Sequence, residues 1–397
     1  MLDSYSKKYR SALIDNVVPF WLNHSVDKQY GGIFTCLDRD GTVYDDRKYV
    51  WLQGRAIWMF SRLYNEVEQR PEFLDIARST IAFLRKHAFD DQGRMFFSLT
   101  RDGKPCFLQR KIYAAVFYMQ GLIEYYRATG DIDCLTEAKR LFEKIAGWRN
   151  QPEQLGRPSL PGGVPFSNLA DVMVMSLMSL DLLSVSDEPI YRNAIRSSID
   201  GILSHYDSDR HILRENIRKN PVQPDRESIL PEDRLFIPGH SIEVAWFLLH
   251  LLEHYPDPST SQIAYNIIEG SLAAGWDPDY NGLYYFMDIS GRPTLQLESS
   301  MKLWWPHTEA IYAIILAYSK TRDPKWLSWL QKVDEYADAH FVDTQYGEWF
   351  GYCDRRGDRT HNCKGGNYKG FYHVPRALLF SWKTIDSMNN AKKDGNQ

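Results

Sequence analysis

The sequence predicts an all-α fold, a closed toroid of about twelve helices with short β-hairpins at one rim, and three observations predict it. A hairpin signature recurs at a fixed interval, each occurrence precedes two segments of helical hydrophobic periodicity, and no Ser/Gly-rich linker interrupts the series. The signature reads YGGIFTCLDRDG from Tyr30, QGRMFFSLTRDG from Gln92, NGLYYFMDISG from Asn281 and YGEWFGYCDRRG from Tyr346. Each has a glycine, a short aromatic alternating run and a polar turn ending in glycine, the pattern of a β-hairpin. The opening glycines are Gly31, Gly93, Gly282 and Gly347, at intervals of 62, 189 and 65 residues. Because the long interval is three times 63, two further units with degenerate hairpins are expected to open near Gly156 and Arg218. Six units then fill almost the whole chain, and residues 1–397 read as one domain.

Taken in order, apolar residues recur at i, i+3, i+4 and i+7 over 3–22, 51–67, 73–88, 111–128, 133–148, 168–184, 188–206, 240–256, 259–274, 305–320, 324–341 and 373–389. Several second members of a pair open after a turn signal: RPEF at Arg70, GDID at Gly130, DPST at Asp257 and RDPKW at Arg322. Proline suits a first helical turn, where its missing N–H has no partner to lose. Such helices cannot bury their faces singly and must stack on neighbours. With six units the stack closes on itself, an inner ring of helices within an outer one, and the N-terminal helix pairs with the last.

The composition narrows the function. A net charge of −4 without blocks of like charge gives neither a nucleic-acid surface nor a membrane-binding patch. Five scattered cysteines with no CxxC spacing argue against a disulfide framework and suit a reducing compartment. The N-terminus has no signal-peptide pattern and no stretch is long and apolar enough to span a membrane, so a cytoplasmic location is expected. The 12 Trp and 24 Tyr residues first of all imply a heavy helical core, and they also suit a carbohydrate pocket.

In a ring of this kind the hairpins lead into the first helix of each unit, so those helix starts face the mouth of the central cavity. They read WLQGRAIW around Arg55, QRKIYAAVF with Arg110 and Lys111, FSNLADVMV around Asn168, PGHSIEVAW around His240, KLWWPHTEA with His307 and Glu309, and KGFYHVPRA around His373. A lone histidine at a helix start is more often a cap or a packed residue. Two at equivalent repeat positions, each among apolar neighbours, point to function instead. Arg55 needs an anionic or carbonyl partner. Glu243, one turn after His240, could orient that imidazole or bind a hydroxyl. Trp305 and Trp349 are read as sugar platforms or as core, Asn168 as a substrate contact or a cap, and Lys111 as a substrate contact. His307 is a second-tier candidate, and the other histidines read as surface or packing. There is no phosphate loop and no HExxH. His240, His373 and Glu309 could hold a metal, but nothing in their spacing requires one, and none is expected. A glycosidase pair, Glu309 with Asp171 or Glu243, stays open as the alternative.

At these motifs the chain resembles the N-acylglucosamine 2-epimerase family, whose mammalian members are also called renin-binding proteins. The segments that carry the resemblance are GRAIW at 54–58, QRKIY at 109–113, LGRPSLPG at 155–162, GHSIEVAWFL at 239–248, KLWWPHTEA at 302–310 and KGFYHVPRA at 369–377. The resemblance implies an (α/α)6 barrel and interconversion of N-acetylglucosamine and N-acetylmannosamine. It assigns catalysis to His240 and His373, with Arg55 and Glu309 as essential pocket residues. It also implies a homodimer and ATP as an allosteric activator that is not consumed, for which the glycine-rich LGRPSLPG loop is the suggested holder. The related cellobiose 2-epimerases lack the HVPR wording at 373–376, which favours the N-acyl branch over them, while the sulfosugar and mannose isomerases, aldose–ketose isomerases of the same superfamily, stay open as alternatives. A pure binding protein would have little use for two bases in one cavity.

The chemistry fits the residue types. Only an open-chain aldose has the aldehyde that acidifies its C2 proton. One imidazole then removes that proton and another returns one, since histidine exists in both forms near neutral pH. Arg55 is the cation for the enolate oxygen, and Glu309 orients a histidine or assists ring opening.

Overall fold

The computed structural model describes residues 2–157, 162–219 and 230–394. Helix α1 runs as Leu2–Ser11 and Val18–His24 around a π-helical stretch, Ala12–Val17, next to Pro19, whose missing N–H breaks the regular ladder. The others are α2 (Val50–Glu66), α3 (Pro71–His87), α4 (Tyr113–Thr129), α5 (Ile132–Asn150), α6 (Leu169–Leu183), α7 (Pro189–Ser204), α8 (Pro238–Leu251), α9 (Pro258–Gly275), α10 (Trp304–Thr321), α11 (Lys325–His340) and α12 (His373–Asp394). Every periodic segment is a helix, and the fold is the (α/α)6 barrel that the repeat count predicts. Even-numbered helices form the inner ring. They are apolar almost all round, α2, α4, α8 and α10 having nearly every residue of their first three turns buried. Odd-numbered helices lie outside and bury one face, as in α3 with Phe73, Ile76, Ala77, Ile81 and Leu84. The core fills the space between the rings. The first helix packs on the last, with Ser6 Oγ donating to Asp386 Oδ1 at 2.5 Å.

Two of the inner helices approach unusually closely. A Cβ on Gly54 would stand 2.5 Å from the backbone of Phe117, so α2 and α4 meet backbone to backbone and Arg55 is carried against the Phe117 ring.

The hairpins form where four of the signatures stand, but the fourth unit departs from the expected spacing. Its hairpin pairs Tyr206–Asp207 with Ile212–Leu213, ahead of the expected opening at Arg218. His211 takes the left-handed conformation there, at φ 56°, where the other units use glycine or asparagine, so the signature has no glycine to show. Near Gly156 there is no hairpin among the described residues, and strand Phe166–Asn168 pairs with Asn216–Arg218. Longer-range ladders of this type bind four of the units to the next. Lys48–Tyr49 pairs with Ser98–Leu99, Leu235–Phe236 with Met287–Asp288, and Lys302–Leu303 with Tyr352–Cys353. These strands run directly into α2, α8 and α10, so the ladders fix where those helices begin.

Ion pairs close the circle. In three hairpins an aspartate accepts a backbone N–H of its own turn, a buried lysine, and an arginine from the hairpin of the following unit. Asp27 takes Lys48 and Arg101, Asp277 takes Lys302 and Arg355, and Asp343 takes Lys364 and Arg39. Arg39 belongs to the first hairpin and Asp343 to the last, so that pair joins the two ends of the chain at 2.8 Å. Burial penalises the carboxylates, but these donors outweigh it and hold all three well below the usual range. Three outer helices also end in a histidine that packs under the turn glycine of the next hairpin: His24 under Gly41, His87 under Gly103 and His340 under Gly357. Those histidines are structural parts of the repeat.

Candidate active site

The starts of the inner helices surround a cavity of about 460 Å³. Going round, α2 contributes Arg55, α4 Phe117, α6 Met173, Val174 and Leu177, α8 His240 and Glu243, α10 Trp305, and α12 His373 and Arg376. The two imidazoles thus come from helices on either side of α10. The Trp305 ring spans the gap, with centroids 5.2 Å from His240 and 5.9 Å from His373.

Each imidazole is oriented through Nδ1, which leaves Nε2 for the cavity. His240 Nδ1 donates to Glu215 Oε2 at 3.0 Å, and His373 Nδ1 donates to Glu309 Oε1 at 2.7 Å. Hydrogen bonding of one ring nitrogen fixes the tautomer of the other. The electrostatic settings nevertheless differ. Burial works against a charge on His240, but the Glu215 carboxylate outweighs it and its pKa is raised above the usual value. Burial also works against a charge on His373, and Arg55 and Arg376 add to it, so this pKa falls well below the usual value. The two rings are thus set apart, His240 toward the protonated form and His373 toward the neutral one.

Arg376 is the organising cation behind His373. Its Nη2 meets Glu243 Oε1 at 2.6 Å and Glu309 Oε2 at 2.8 Å, and Nη1 donates to the Tyr372 hydroxyl at 3.2 Å. The Trp246 indole donates to Glu309 as well, at 3.1 Å. Tyr372 passes the network on to buried Gln120. Glu243, Glu309 and His373 lie close enough together to hold a metal ion. The guanidinium of Arg376 already supplies the positive charge among them, so these residues suit a metal poorly. Arg55 makes no ion pair among the described residues. Its guanidinium lies over the rings of Phe117, Trp51 and Tyr372 at 3.9, 4.4 and 4.6 Å, and its Nε has no partner. Burial, opposed only in part by Tyr372 and Glu243, brings its pKa down to about 10. A buried arginine without a carboxylate is arranged to receive negative charge from outside the protein.

Of the residues expected at the site, His240, His373, Arg55, Glu243 and Trp305 line the cavity. Glu309 is 1% exposed and stands behind His373, positioning it without facing the cavity. Glu243 does not orient His240; it is committed to Arg376. The expected substrate contacts Asn168, Lys111 and Trp349 are elsewhere. Asn168 caps α6, accepting from the Ala170 N–H, because an asparagine oxygen there satisfies an otherwise unpaired donor. Lys111 is exposed, outside the cavity wall. Trp349 is core, stacked on Phe341 at 6.3 Å. His307 is fully buried between Leu303 O and the Leu283 N–H. Glu309 and Glu243 share one arginine side by side and do not flank a space for a glycosidic bond, which weighs against the hydrolase pairing. Of the LGRPSLPG loop, Pro158–Pro161 lie outside the described residues.

Sequence reasoning missed Glu215 and Arg376. Arg376 carried a readable signal, since it follows His373 by three residues on one helix face. Glu215 carried none, because it reaches His240 from the displaced fourth hairpin.

Comparison with known proteins bears on the family and the fold. Residues 32–377 match the model of the family described as N-acylglucosamine 2-epimerase. The N-acylglucosamine 2-epimerase of Bos taurus is 40% identical over 389 residues, 94% of this chain and 90% of the relative. Among solved structures, a cellobiose 2-epimerase from Bacillus thermoamylovorans superposes with a TM-score of 0.82 at 22% identity, covering 96% of this chain and 99% of that one. A family 76 glycoside hydrolase (mannosidase) from Bacteroides thetaiotaomicron shares the fold more distantly, at a TM-score of 0.61 and 16% identity, with 98% and 100% coverage.

Proposed function

This chain belongs to the N-acylglucosamine 2-epimerase family, and we propose that it interconverts N-acetyl-D-glucosamine and N-acetyl-D-mannosamine by two-base proton transfer at C2 of the ring-opened sugar. One observation carries the reading: two imidazoles flank a single tryptophan, with pKa values displaced in opposite directions. In the open chain the C1 aldehyde acidifies the C2 proton. Neutral His373 takes that proton through Nε2, and the charge that develops on the carbonyl oxygen is met by Arg55. The imidazolium of His240 then returns a proton to C2 from its own side, which inverts the centre. The reverse reaction uses the same groups with their roles exchanged. This route needs neither a metal nor a nicotinamide.

Turnover in heavy water tests it. Product must carry deuterium at C2, because the returned proton comes from a solvent-exchanging residue. His240→Asn and His373→Asn should each lose epimerisation by orders of magnitude. Each should keep slow deuterium exchange into a different one of the two sugars, the one whose C2 proton faces the surviving imidazole. Efficient epimerisation without label would remove the two-base assignment.

The same reading includes ATP as an effector that is bound and not consumed, a homodimeric working form and a cytoplasmic location. ATP should raise the melting temperature by linkage, with no ADP released in step with product, and light scattering should give twice the chain mass.

A further inference from the structure

Five of the six inner helices bring a polar, charged or aromatic group to the cavity; α6 brings only Met173, Val174 and Leu177. Its expected polar residue, Asn168, is used up as a helix cap. The ring order places α6 directly across from α12, which carries His373, and beside α8, which carries His240. Phe247, two turns below His240 on α8, continues the same apolar wall. A sugar hydroxyl gains nothing from such a surface, and burying one there without a partner is costly.

The planar intermediate explains what the wall is for. While C2 is deprotonated, its three remaining substituents lie in one plane, and the two imidazoles take the faces. C1 with its oxygen must point toward Arg55, which leaves the nitrogen substituent and C3 to share the rest of the plane. We propose that Met173, Val174, Leu177 and Phe247 form the acyl pocket, which receives the methyl end of the N-acyl group and sets how long an acyl chain is accepted. This rests on the N-acyl sugar reading given above. The pocket binds the acyl group equally in both epimers, because that group stays near the plane while the proton changes sides.

The experiment compares N-acetyl, N-propanoyl and N-butanoyl glucosamine as substrates for the wild type, Leu177→Ala and Met173→Gln, with folding checked by circular dichroism and thermal melting. Shortening Leu177 opens space, so kcat/KM for the N-butanoyl sugar relative to N-acetyl should rise about tenfold, the usual worth of a methylene in an apolar pocket. Met173→Gln keeps the length but adds an amide that the acyl methyl cannot satisfy, and should raise KM for the N-acetyl sugar more than it lowers kcat. Folded variants whose acyl-length profile matches the wild type would overturn the pocket while leaving the epimerase reading in place. A wild type that turns over neutral aldoses but no N-acyl sugar would overturn both, and that result is distinguishable from the first.

Discussion

Replacing Glu215 by Gln is the most informative single perturbation. The side chain keeps its length, and its amide oxygen can still accept from His240 Nδ1, so the ring stays oriented while the charge is lost. Glu215 makes no other ion pair among the described residues, so the change falls chiefly on this imidazole. A hydrogen bond to a charged group contributes roughly 1.5–3 kcal/mol. A neutral one contributes about 0.5–1.5 kcal/mol, so losing the charge, about 1–1.5 kcal/mol, should slow the direction in which His240 is the acid by about five- to tenfold. The sign in pH follows from the raised pKa of His240, which burial lowers and Glu215 more than restores. Without the carboxylate burial is opposed only by the more distant charge of Glu243, so the alkaline limb of the kcat/KM profile should move to lower pH. Stability should change in parallel. A raised folded pKa stabilises fully below the unfolded value of about 6.5 and is lost as pH rises through the folded value. The variant should thus lose more melting temperature at mildly acidic than at alkaline pH. A profile that superimposes on the wild type, or a uniform loss with the limb unmoved, would refute the idea that Glu215 charges His240.

Three further outcomes follow from the structure. Arg376→Met leaves Glu243 and Glu309 buried without their cation, which should cost about 3–5 kcal/mol in denaturant unfolding together with nearly all activity. Asp343→Asn strands fully buried Lys364 and releases Arg39, so it should destabilise at neutral pH. Because the folded pKa of Asp343 is depressed, the gap between wild type and variant should close as pH falls through the folded value. Gly41→Ala should lower the melting temperature, since Gly41 sits at φ 89° and a Cβ there would enter the His24 ring; adding His24→Ala should recover only the steric part.

The helices were legible because each outer one alternates apolar and polar faces at a helical period and because α2, α4, α10 and α12 open after hairpins whose glycines are left-handed. Legibility failed where the chemistry of the turn changed. His211 takes the left-handed position that glycine marks elsewhere, so the fourth hairpin was placed near Arg218, and Glu215 was passed over with it. At the site, residue type revealed the reacting groups but not their partners. Glu243 and Glu309 follow helix starts in the same way, yet both turn to Arg376, which sequence distance from α8 and α10 conceals. Asn168 and Trp349 were ambiguous in sequence for a physical reason: a capping amide and a packed indole use the same atoms that a sugar would contact.

The two histidines make nearly the same bond to a carboxylate, at 3.0 and 2.7 Å, and still ionise in opposite senses. Counting charge around each explains this. Around His373 stand Glu243 and Glu309 with Arg376 and Arg55, which sum to zero, so a proton on that ring adds a net charge to a buried site. Around His240 stands Glu215, with the charge of Glu243 adding to it, so a proton there offsets negative charge. The proposed reaction moves one proton onto His373 and one off His240, which takes the site to its disfavoured distribution just as product forms. Returning to the favoured state requires His373 to lose a proton and His240 to gain one, and both exchange with solvent. That relaxation drives label into C2 on every turnover. It also gives the two arginines separate duties: Arg376 offsets Glu243 and Glu309 and so helps to hold the His373 pKa down, and Arg55, with no carboxylate of its own, remains available for the oxygen of the sugar.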